Sequence, residues 1–250
     1  MTQAVVQITD VDKTFITNKG ETVEALRGIS LEIRPNDFVC IVGPSGCGKS
    51  TLLRIVAGLE QATGGNVLYR EAPVTKPTAQ IGMVFQEYSL LPWRTVLDNV
   101  VLGLEFAGVD KKACTDKGAA YLEMVNLTEF AQAYPHELSG GMRQRVAIAR
   151  AMAVEPDVLL MDEPFGALDA HTRILLQREL LRVWENHKKT VLFVTHSVDE
   201  AIYLADKIVV MSKRPGVIRE EMTVTLPRPR DRAVPAYGQL YAKILQMLDG

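Results

Sequence analysis

The sequence is poor in the features that mark secreted, membrane-spanning and nucleic-acid-binding proteins. Its three cysteines, Cys40, Cys47 and Cys114, show no paired spacing of the disulfide or metal-binding kind. No apolar run approaches the ~20 residues that cross a bilayer, and the start at Met1 shows no signal peptide. A formal net charge of -2 gives no general attraction for nucleic acid or for an anionic membrane. These absences favour a protein of the reducing cytoplasm, which would meet a membrane only through a partner.

Internal repeats, low-complexity tracts and sustained heptads are also missing from the sequence. With 250 residues, the chain can form one large domain, or one domain with a small appendage. A basic run from Arg228 to Arg232 is interpreted as solvated surface.

What the sequence does contain is a complete phosphate loop. Between the apolar run Phe38 to Val42 and a helical stretch, Thr51 to Leu59, lie Gly43-Pro44-Ser45-Gly46-Cys47-Gly48-Lys49-Ser50. The glycines let successive backbone N–H groups converge on a β-phosphate, Lys49 neutralises phosphate charge, and Ser50 offers its hydroxyl to Mg²⁺. We therefore predict that a nucleoside triphosphate binds to residues 43 to 51.

The surrounding pattern predicts an α/β fold. The first 35 or so residues alternate in the manner of strands around a polar connection, Thr17 to Glu21, which indicates an antiparallel β layer. From residue 142 onward, helical stretches alternate with apolar strands, as in a parallel sheet with crossover helices. Residues 97 to 127 show a helical spacing that indicates an insert. Near the end, a strand over Glu221 to Leu226 and an amphipathic helix over Tyr237 to Leu248 are expected.

Two carboxylates end one of the apolar strands. The order Met161-Asp162-Glu163 places them at the carboxyl end of a strand, where open α/β sheets bind ligands. Because neighbours on a strand point in opposite directions, we expect different roles for them. Asp162 fits an electrostatic partner of Mg²⁺ and Ser50, and Glu163 fits a general base or water-orienting group at the γ-phosphate. The alternative for the isolated pair is two solvated acids before a turn.

A second anion site is predicted at Ser139-Gly140-Gly141, which precedes a helical stretch, Met142 to Met152. A hydroxyl and glycine N–H groups at a positive helix terminus suit an anion. One nucleotide needs only one phosphate loop, so this second site makes sense if it closes over the γ-phosphate held by another copy of the chain. The alternative is an ordinary helix cap.

Together these segments resemble the ATP-binding cassette (ABC) family over residues 5 to about 215. The run Leu138-Ser139-Gly140-Gly141-Met142-Arg143-Gln144-Arg145 is highly specific for that family. The resemblance implies a P-loop NTPase fold with a mainly parallel sheet, in a single nucleotide-binding domain over residues 1–250. Its expected parts are a β layer (1–35), a RecA-like core (36–90 and 142–215), a helical subdomain (about 91–141) and an appendage (216–250).

The resemblance also implies roles for four further residues. Gln86 senses Mg²⁺ and the membrane partner, and Asp169 lies at the seam between two copies. His196 contacts the γ-phosphate, to which an imidazole N–H can donate a hydrogen bond. Phe15 is the candidate for stacking on adenine, and a simple core role explains it equally well.

The stretch from Gln86 to Arg94, called the docking segment below, includes Leu90, Leu91 and Trp93 and is unusually apolar for a loop. The resemblance implies that it accepts a short cytoplasmic helix of a membrane subunit. The alternative is that its apolar side chains cover the helical insert.

Among ABC proteins, the sequence is most similar to the ATPase subunits of nitrate, sulfonate and taurine importers. This implies hydrolysis of ATP with Mg²⁺ by a homodimer at the cytoplasmic face of the inner (plasma) membrane, with Lys49, Glu163 and His196 as catalytic residues. The expected partners are a separate permease and, indirectly, an external substrate-binding protein, but not nucleic acid. The alternatives are another importer subfamily, or an ABC ATPase that acts on nucleic acid or ribosomes. A kinase would not explain Ser139 or His196.

Overall fold

The computed structural model describes residues 3–249, apart from the side chains of residues 187 and 249. The strands are β1 (Val6–Ile16), β2 (Thr22–Ile33), β3 (Phe38–Val42), β4 (Gly64–Tyr69), β5 (Ala72–Pro73), β6 (Ile81–Val84), β7 (Val158–Asp162), β8 (Thr190–Thr195), β9 (Lys207–Met211) and β10 (Ile218–Thr223). The helices are α1 (Lys49–Val56), α2 (Val96–Phe106), α3 (Lys111–Met124), α4 (Gly140–Ala153), α5 (Ala170–His187), α6 (Val198–Leu204) and α7 (Pro235–Asp249), with 3-10 turns at Thr128–Phe130 and Pro135–Glu137.

These elements form two compact units. The first contains the residues up to Thr78 and those from Thr190 onward, and the second contains Ala79–Lys189. In the part of the chain that the structure describes, no helix combines the length and the hydrophobicity needed to cross a bilayer. That residues 1–250 act as one nucleotide-binding domain with the predicted subdivision stays a prediction.

The first unit contains an antiparallel sheet in the order β2-β1-β4-β5. In the hairpin of β1 and β2, Val6 lies opposite Ile33, and Thr17 N donates to Glu21 O at 2.8 Å across the connection. Alternate apolar residues of this hairpin are buried, among them Val6, Ile8, Leu31 and Ile33. The predicted antiparallel layer is confirmed, because a period of two places these side chains on one face.

Strands β10, β9, β3 and β8 follow one another in the other sheet of the first unit. β3 is parallel to β8 and β9, and β10 is antiparallel to β9. Every residue of β3 and β8 is buried, as the absence of a polar face in their sequences indicates. Val42 pairs with Thr195 at the carboxyl end of both strands. The segments that follow β3 and β8 therefore start at the same edge of the sheet.

In the second unit, β6 and β7 form a parallel pair, with Val84 opposite Met161. The side chains of α2, α3 and α4 pack into a hydrophobic core that includes Val96, Val100, Leu104, Leu122, Val146 and Ala149. Each of these helices begins at a residue whose side chain accepts a backbone hydrogen bond, namely Thr95, Asp110 and Ser139. The predicted helical insert is confirmed, because apolar spacing and capping residues agree on the same elements.

The chain after β9 differs from the prediction in two ways. β10 spans 218–223 rather than 221–226, because its pairing with β9 already begins where Ile218 meets Met211. The interpretation of Arg228 to Arg232 as solvated surface is wrong. Arg230 is only 5% exposed and donates to carbonyl oxygens near the end of α6. Burial lowers the pKa of Arg230 to about 10, and these backbone acceptors offset the cost of burying its charge.

Candidate functional site

The phosphate loop connects β3 to α1 and requires glycine at two positions. Gly46 and Gly48 have φ of +75° and +102°, in the left-handed region that glycine adopts without steric cost. A Cβ at Gly48 would lie 2.6 Å from Leu26 Cδ2 and 2.8 Å from Ala25 O. Glycine therefore allows the chain to turn from a buried strand into a helix, which is the context that a phosphate loop needs.

Lys49 is the first residue of α1, and its side chain turns back into the loop. It is 4% exposed, and Nζ donates to Gly43 O at 2.8 Å and to Pro44 O at 3.0 Å. Ser50 follows in the first turn of α1 and is half-buried. The loop leads directly into the N-terminus of α1, where the helix dipole also favours negative charge. This set of donors fits the phosphates of a nucleotide.

His196 leaves the sheet beside the phosphate loop, because it directly follows the pairing of Thr195 with Val42. Its imidazole is exposed. The next residue, Ser197, caps α6 by accepting from Glu200 N at 3.3 Å, and its own N–H donates to Thr195 Oγ1 at 2.9 Å. The backbone on both sides of His196 is therefore fixed, which is compatible with its predicted contact to a γ-phosphate.

A second cation contacts the phosphate loop, and no sequence motif marked it. Arg214 Nε and Nη2 both donate to Gly46 O at 3.3 Å. A Cβ at nearby Gly216 would lie 2.1 Å from Cys47 O, and Gly216 N donates to Ala25 O at 3.0 Å. The chain after β9 therefore packs directly on the loop. The contact of Arg214 with the loop was not predicted, because no local sequence pattern distinguishes Arg214 from an ordinary surface arginine.

In the second unit, the two predicted acidic residues have different environments. Asp162 ends β7 and is 4% exposed. Glu163 has φ of +42°, a left-handed backbone that costs a non-glycine residue about 1–3 kcal/mol. The expectation that both acids lie on the strand is therefore wrong for Glu163. A turn in which Gly166 N donates to Glu163 O at 3.0 Å follows instead.

Gln86 and Asp162 lie at the same edge of the β6–β7 pair. Gln86 comes just after the end of β6, Asp162 is the last residue of β7, and the two strands are parallel. Gln86 is exposed, unlike Asp162. Among residues 3–249, no three His, Cys, Asp or Glu side chains are grouped in a way that could hold a metal ion. Mg²⁺ usually binds one or two carboxylates together with phosphate oxygens and water. The oxygen donors of the predicted set, Ser50, Gln86 and Asp162, fit that preference.

Ser139 lies at the N-terminus of α4. Its exposed side chain accepts a hydrogen bond from Met142 N at 3.3 Å. Gly140 begins the helix, and a Cβ at Gly141 would lie 2.9 Å from Thr172 Cγ2, so glycine lets α4 approach α5 closely. The predicted helix terminus is confirmed. It combines a hydroxyl with the positive end of a helix dipole at the surface, and the binding of an anion there stays a prediction.

Asp169 caps α5 in a similar way. Its carboxylate accepts from Thr172 N at 3.0 Å. The hydrogen bonds from the backbone and side chain of Thr172 lower the pKa of the Asp169 carboxyl, which is exposed. Asp169 is therefore an anion at neutral pH, and its place at a seam between two copies stays a prediction.

Phe15 lies near the end of β1 and not in the core. Its side chain is 38% exposed, so the alternative of a simple core role is wrong. Lys13 Nζ lies 4.7 Å from the ring centroid, within cation–π range, and also pairs with Glu60 at 2.7 Å. A partly exposed ring can stack on a base, and stacking on adenine stays a prediction for Phe15.

The docking segment divides into a covered part and an exposed part. Leu90 packs against the core of the helical insert, whereas Trp93 is 72% exposed. The buried side chain of Asn99, which sequence reasoning missed, accepts from Leu91 N at 2.7 Å and donates to Leu91 O and Arg94 O, both at 3.1 Å. The interpretation that apolar side chains of this segment cover the insert is therefore confirmed for Leu90. Docking of a membrane subunit at the exposed Trp93 stays a prediction.

Comparisons with known proteins agree with this geometry. The model of the ABC transporter family matches residues 26–166, more than half of the chain. An uncharacterized ABC transporter ATP-binding protein of Methanocaldococcus jannaschii is 52% identical, over 97% of this chain and 90% of that protein. A nitrate import ATP-binding protein of Synechocystis sp. is 49% identical, over 88% and 83% of the two chains. An aliphatic sulfonates import ATP-binding protein of Bacillus thuringiensis is 47% identical, over 98% and 96%.

Among solved structures, a dimeric ATP-binding cassette in a post-hydrolysis state, bound to ADP and Pi, superposes with a TM-score of 0.77. It is 34% identical and covers 88% of this chain and 98% of its own. The resemblance stated from the signature run and the predicted P-loop NTPase fold are both confirmed. The chain belongs to the ABC transporter family, as one of its ATP-hydrolysing subunits.

Proposed function

We propose that this chain drives import of a small anion, such as nitrate, a sulfonate or taurine, through a separate permease at the cytoplasmic face of the membrane. The names of two similar proteins, a nitrate and an aliphatic sulfonates import protein, support this cargo class. The observation that supports ATP hydrolysis by a dimer is the presence of two helix ends whose glycines, hydroxyls and dipole suit an anion. One is α1 behind its phosphate loop, and the other is α4 behind Ser139.

Each predicted residue has a task in the proposed hydrolysis of ATP. Lys49 balances phosphate charge, Glu163 orients the attacking water, and His196 donates a hydrogen bond to a γ-phosphate oxygen. Bound Mg²⁺ would neutralise charge that develops on the phosphates. Three oxygen donors would hold it: Ser50, Gln86 and Asp162.

The proposed active form is a dimer in which each copy lends its Ser139 to the nucleotide of the other. The exposure of Ser139 and Asp169 supports this arrangement, because both side chains are accessible to a second molecule. ATP would then shift an equilibrium between open and closed dimers, and movement of the docking segment would pass closure to the permease. An external substrate-binding protein would act through that permease.

The dimer is tested with Glu163→Gln, which keeps the size of the side chain and removes its charge. In Mg²⁺ and ATP we expect this variant to bind ATP, to stop hydrolysing it and to run as a dimer in light scattering. Adding Ser139→Arg should return it to a monomer with ATP still bound. A Glu163→Gln variant that stays monomeric in saturating ATP, or that hydrolyses ATP normally, would contradict the proposal.

The cargo is tested in proteoliposomes that contain this chain and a candidate permease. We expect ATP-dependent uptake of nitrate, taurine or an alkanesulfonate when the matching binding protein is present. ATPase activity that responds to DNA or ribosomes but not to the permease would favour the alternative class of ABC ATPase.

A further inference from the structure

The C-terminal chain returns to α6 and binds it at both ends. Arg230 Nη1 donates to Ile202 O at 2.7 Å and to Tyr203 O at 3.2 Å, and Arg228 donates to Leu204 O. These carbonyls belong to the last turn of α6, where helix carbonyls lack intrahelical partners and positive charge is favoured. The C-terminal end of α6 is therefore held by two guanidinium groups.

The N-terminal end of α6 is held by a different pair of side chains. Arg232 Nε and Nη2 donate to the two carboxylate oxygens of Asp199 at 2.7 and 2.8 Å. The Tyr237 hydroxyl lies 2.7 Å from Asp199 Oδ1, and burial raises the pKa of this phenol. The hydroxyl therefore remains protonated and donates to the carboxylate. The guanidinium carbon of Arg232 also lies 4.1 Å from the ring centroid of Tyr203, which limits its movement.

The anchored residue, Asp199, is the second residue of α6 and lies three residues after His196. α6 has only seven residues, and a helix of this length is not stable by itself in water. Its direction is therefore set by tertiary contacts, and the turn that carries His196 continues straight into it. The contacts of Arg232 and Tyr237 fix the end of α6 nearest to His196.

We propose that Arg232 and Tyr237 are positioning residues for ATP hydrolysis, which act through Asp199 to hold His196 in the place that it needs at the γ-phosphate. The inference rests on the role of His196 under the proposed function. It assigns the C-terminal segment a part in the chemistry, although neither residue touches the nucleotide. A displacement of about 1 Å in a group that contacts the reacting atoms can cost up to about 100-fold in rate.

The experiment measures kcat and KM for ATP in Arg232→Ala, Arg232→Lys and Tyr237→Phe. We expect Arg232→Ala to lower kcat about tenfold with KM changed less than about twofold, because phosphate binding by Lys49 is untouched. Arg232→Lys keeps the charge and one of the two hydrogen bonds, so it should recover part of the loss. The matched control is Arg219→Ala, which breaks another arginine contact to the C-terminal helix, at Met247 O, and should keep normal kcat.

A double-mutant cycle with His196→Ala separates positioning from a purely structural effect. If Arg232 acts through His196, then Arg232→Ala has no further effect on kcat in the His196→Ala background. Equal losses of kcat in both backgrounds would overturn the inference and leave the proposed role of His196 standing. Normal hydrolysis by His196→Ala would remove that role and the inference with it. If Arg232→Ala fails to fold, Arg232→Lys and Tyr237→Phe decide: normal kcat in both overturns the proposal, and a reduced kcat that disappears in the His196→Ala background supports it.

Discussion

The phosphate loop of the first unit and three predicted nucleotide-binding residues of the second unit differ in how far they are buried. In the first unit, Lys49 and Gly48 are enclosed by other parts of the chain, so that the phosphate loop is fully formed by one molecule. In the second unit, Gln86, Ser139 and Asp169 are exposed. The difference indicates that one copy alone can form the phosphate loop, whereas the exposed residues are accessible to a second molecule. A cradle of converging N–H groups has to be preorganised, whereas a surface that meets a second molecule has to stay accessible.

This contrast predicts different consequences of substitution. Changes in the phosphate loop should damage stability and ATP binding together, because the same contacts serve both. Substitutions at the exposed residues of the second unit should cost the free protein no more than about 1 kcal/mol. Their effect on activity should depend mainly on binding to a partner. Four substitutions, at Gly48, Ser139, Trp93 and Asp169, test that separation.

Gly48→Ala should have the largest effect. The added Cβ meets Leu26 and Ala25 O at under 3 Å, and the left-handed φ adds strain, so we expect about 1–3 kcal/mol of destabilisation. ATP affinity measured by calorimetry should fall about 100-fold, because displaced N–H groups no longer converge on the phosphates. Gly20→Ala is the control, since it has φ of +79° but no atom within 4 Å of the new Cβ. Equal damage in both variants would show that backbone strain alone explains the result.

Ser139→Ala should separate activity from ATP binding. Loss of the Ser139 cap on α4 should lower the free energy of unfolding by about 1 kcal/mol. Thr95 caps α2 in the same way, so its replacement should cost a similar amount. We expect Ser139→Ala to lose about tenfold or more in ATPase rate with unchanged ATP affinity, and Thr95→Ala to lose stability alone. A comparable loss of ATPase activity in Thr95→Ala would mean that helix stability, and not an anion site, is responsible.

The phosphate loop and the helix cap at Ser139 could be predicted from the sequence, because both depend on residues that are close together in the chain. The phosphate loop is defined by glycine spacing between a strand and a helix, and the cap at Ser139 by the first residues of α4. Arg214 and Arg232 could not be predicted, because their partners, Gly46 and Asp199, lie 168 and 33 residues away in the chain. The alternation of a strand also does not tell where the strand ends, which is why the left-handed backbone of Glu163 was missed.

Trp93→Ala tests whether an exposed residue of the second unit contributes to coupling with the permease and not to stability. The side chain is 72% exposed, so its removal should change the free energy of unfolding by no more than about 0.5 kcal/mol. With the permease in proteoliposomes, we expect stimulation of the ATPase by transport to fall about tenfold, because a large aromatic anchor is lost. Phe106→Ala is the control, at 85% exposure on the end of α2, and should keep full stimulation. Equal losses at both positions would point to general surface hydrophobicity instead of a docking site.

Asp169 should give the smallest effect, and the effect should depend on pH. Its pKa is lowered in the folded protein by hydrogen bonds from Thr172, so its stabilising contribution is complete above the ordinary carboxyl pKa and is lost as the pH falls through the lowered value. Asp169→Asn can still cap α5 but does not titrate. The difference in unfolding temperature between the two proteins should be constant from pH 7 to about pH 5 and should shrink below about pH 4. A difference that stays unchanged down to pH 3 would contradict the assigned pKa shift. The expected effect is small because the carboxylate is exposed, and the lowered pKa keeps Asp169 charged at neutral pH, as its predicted place at a seam between two copies requires.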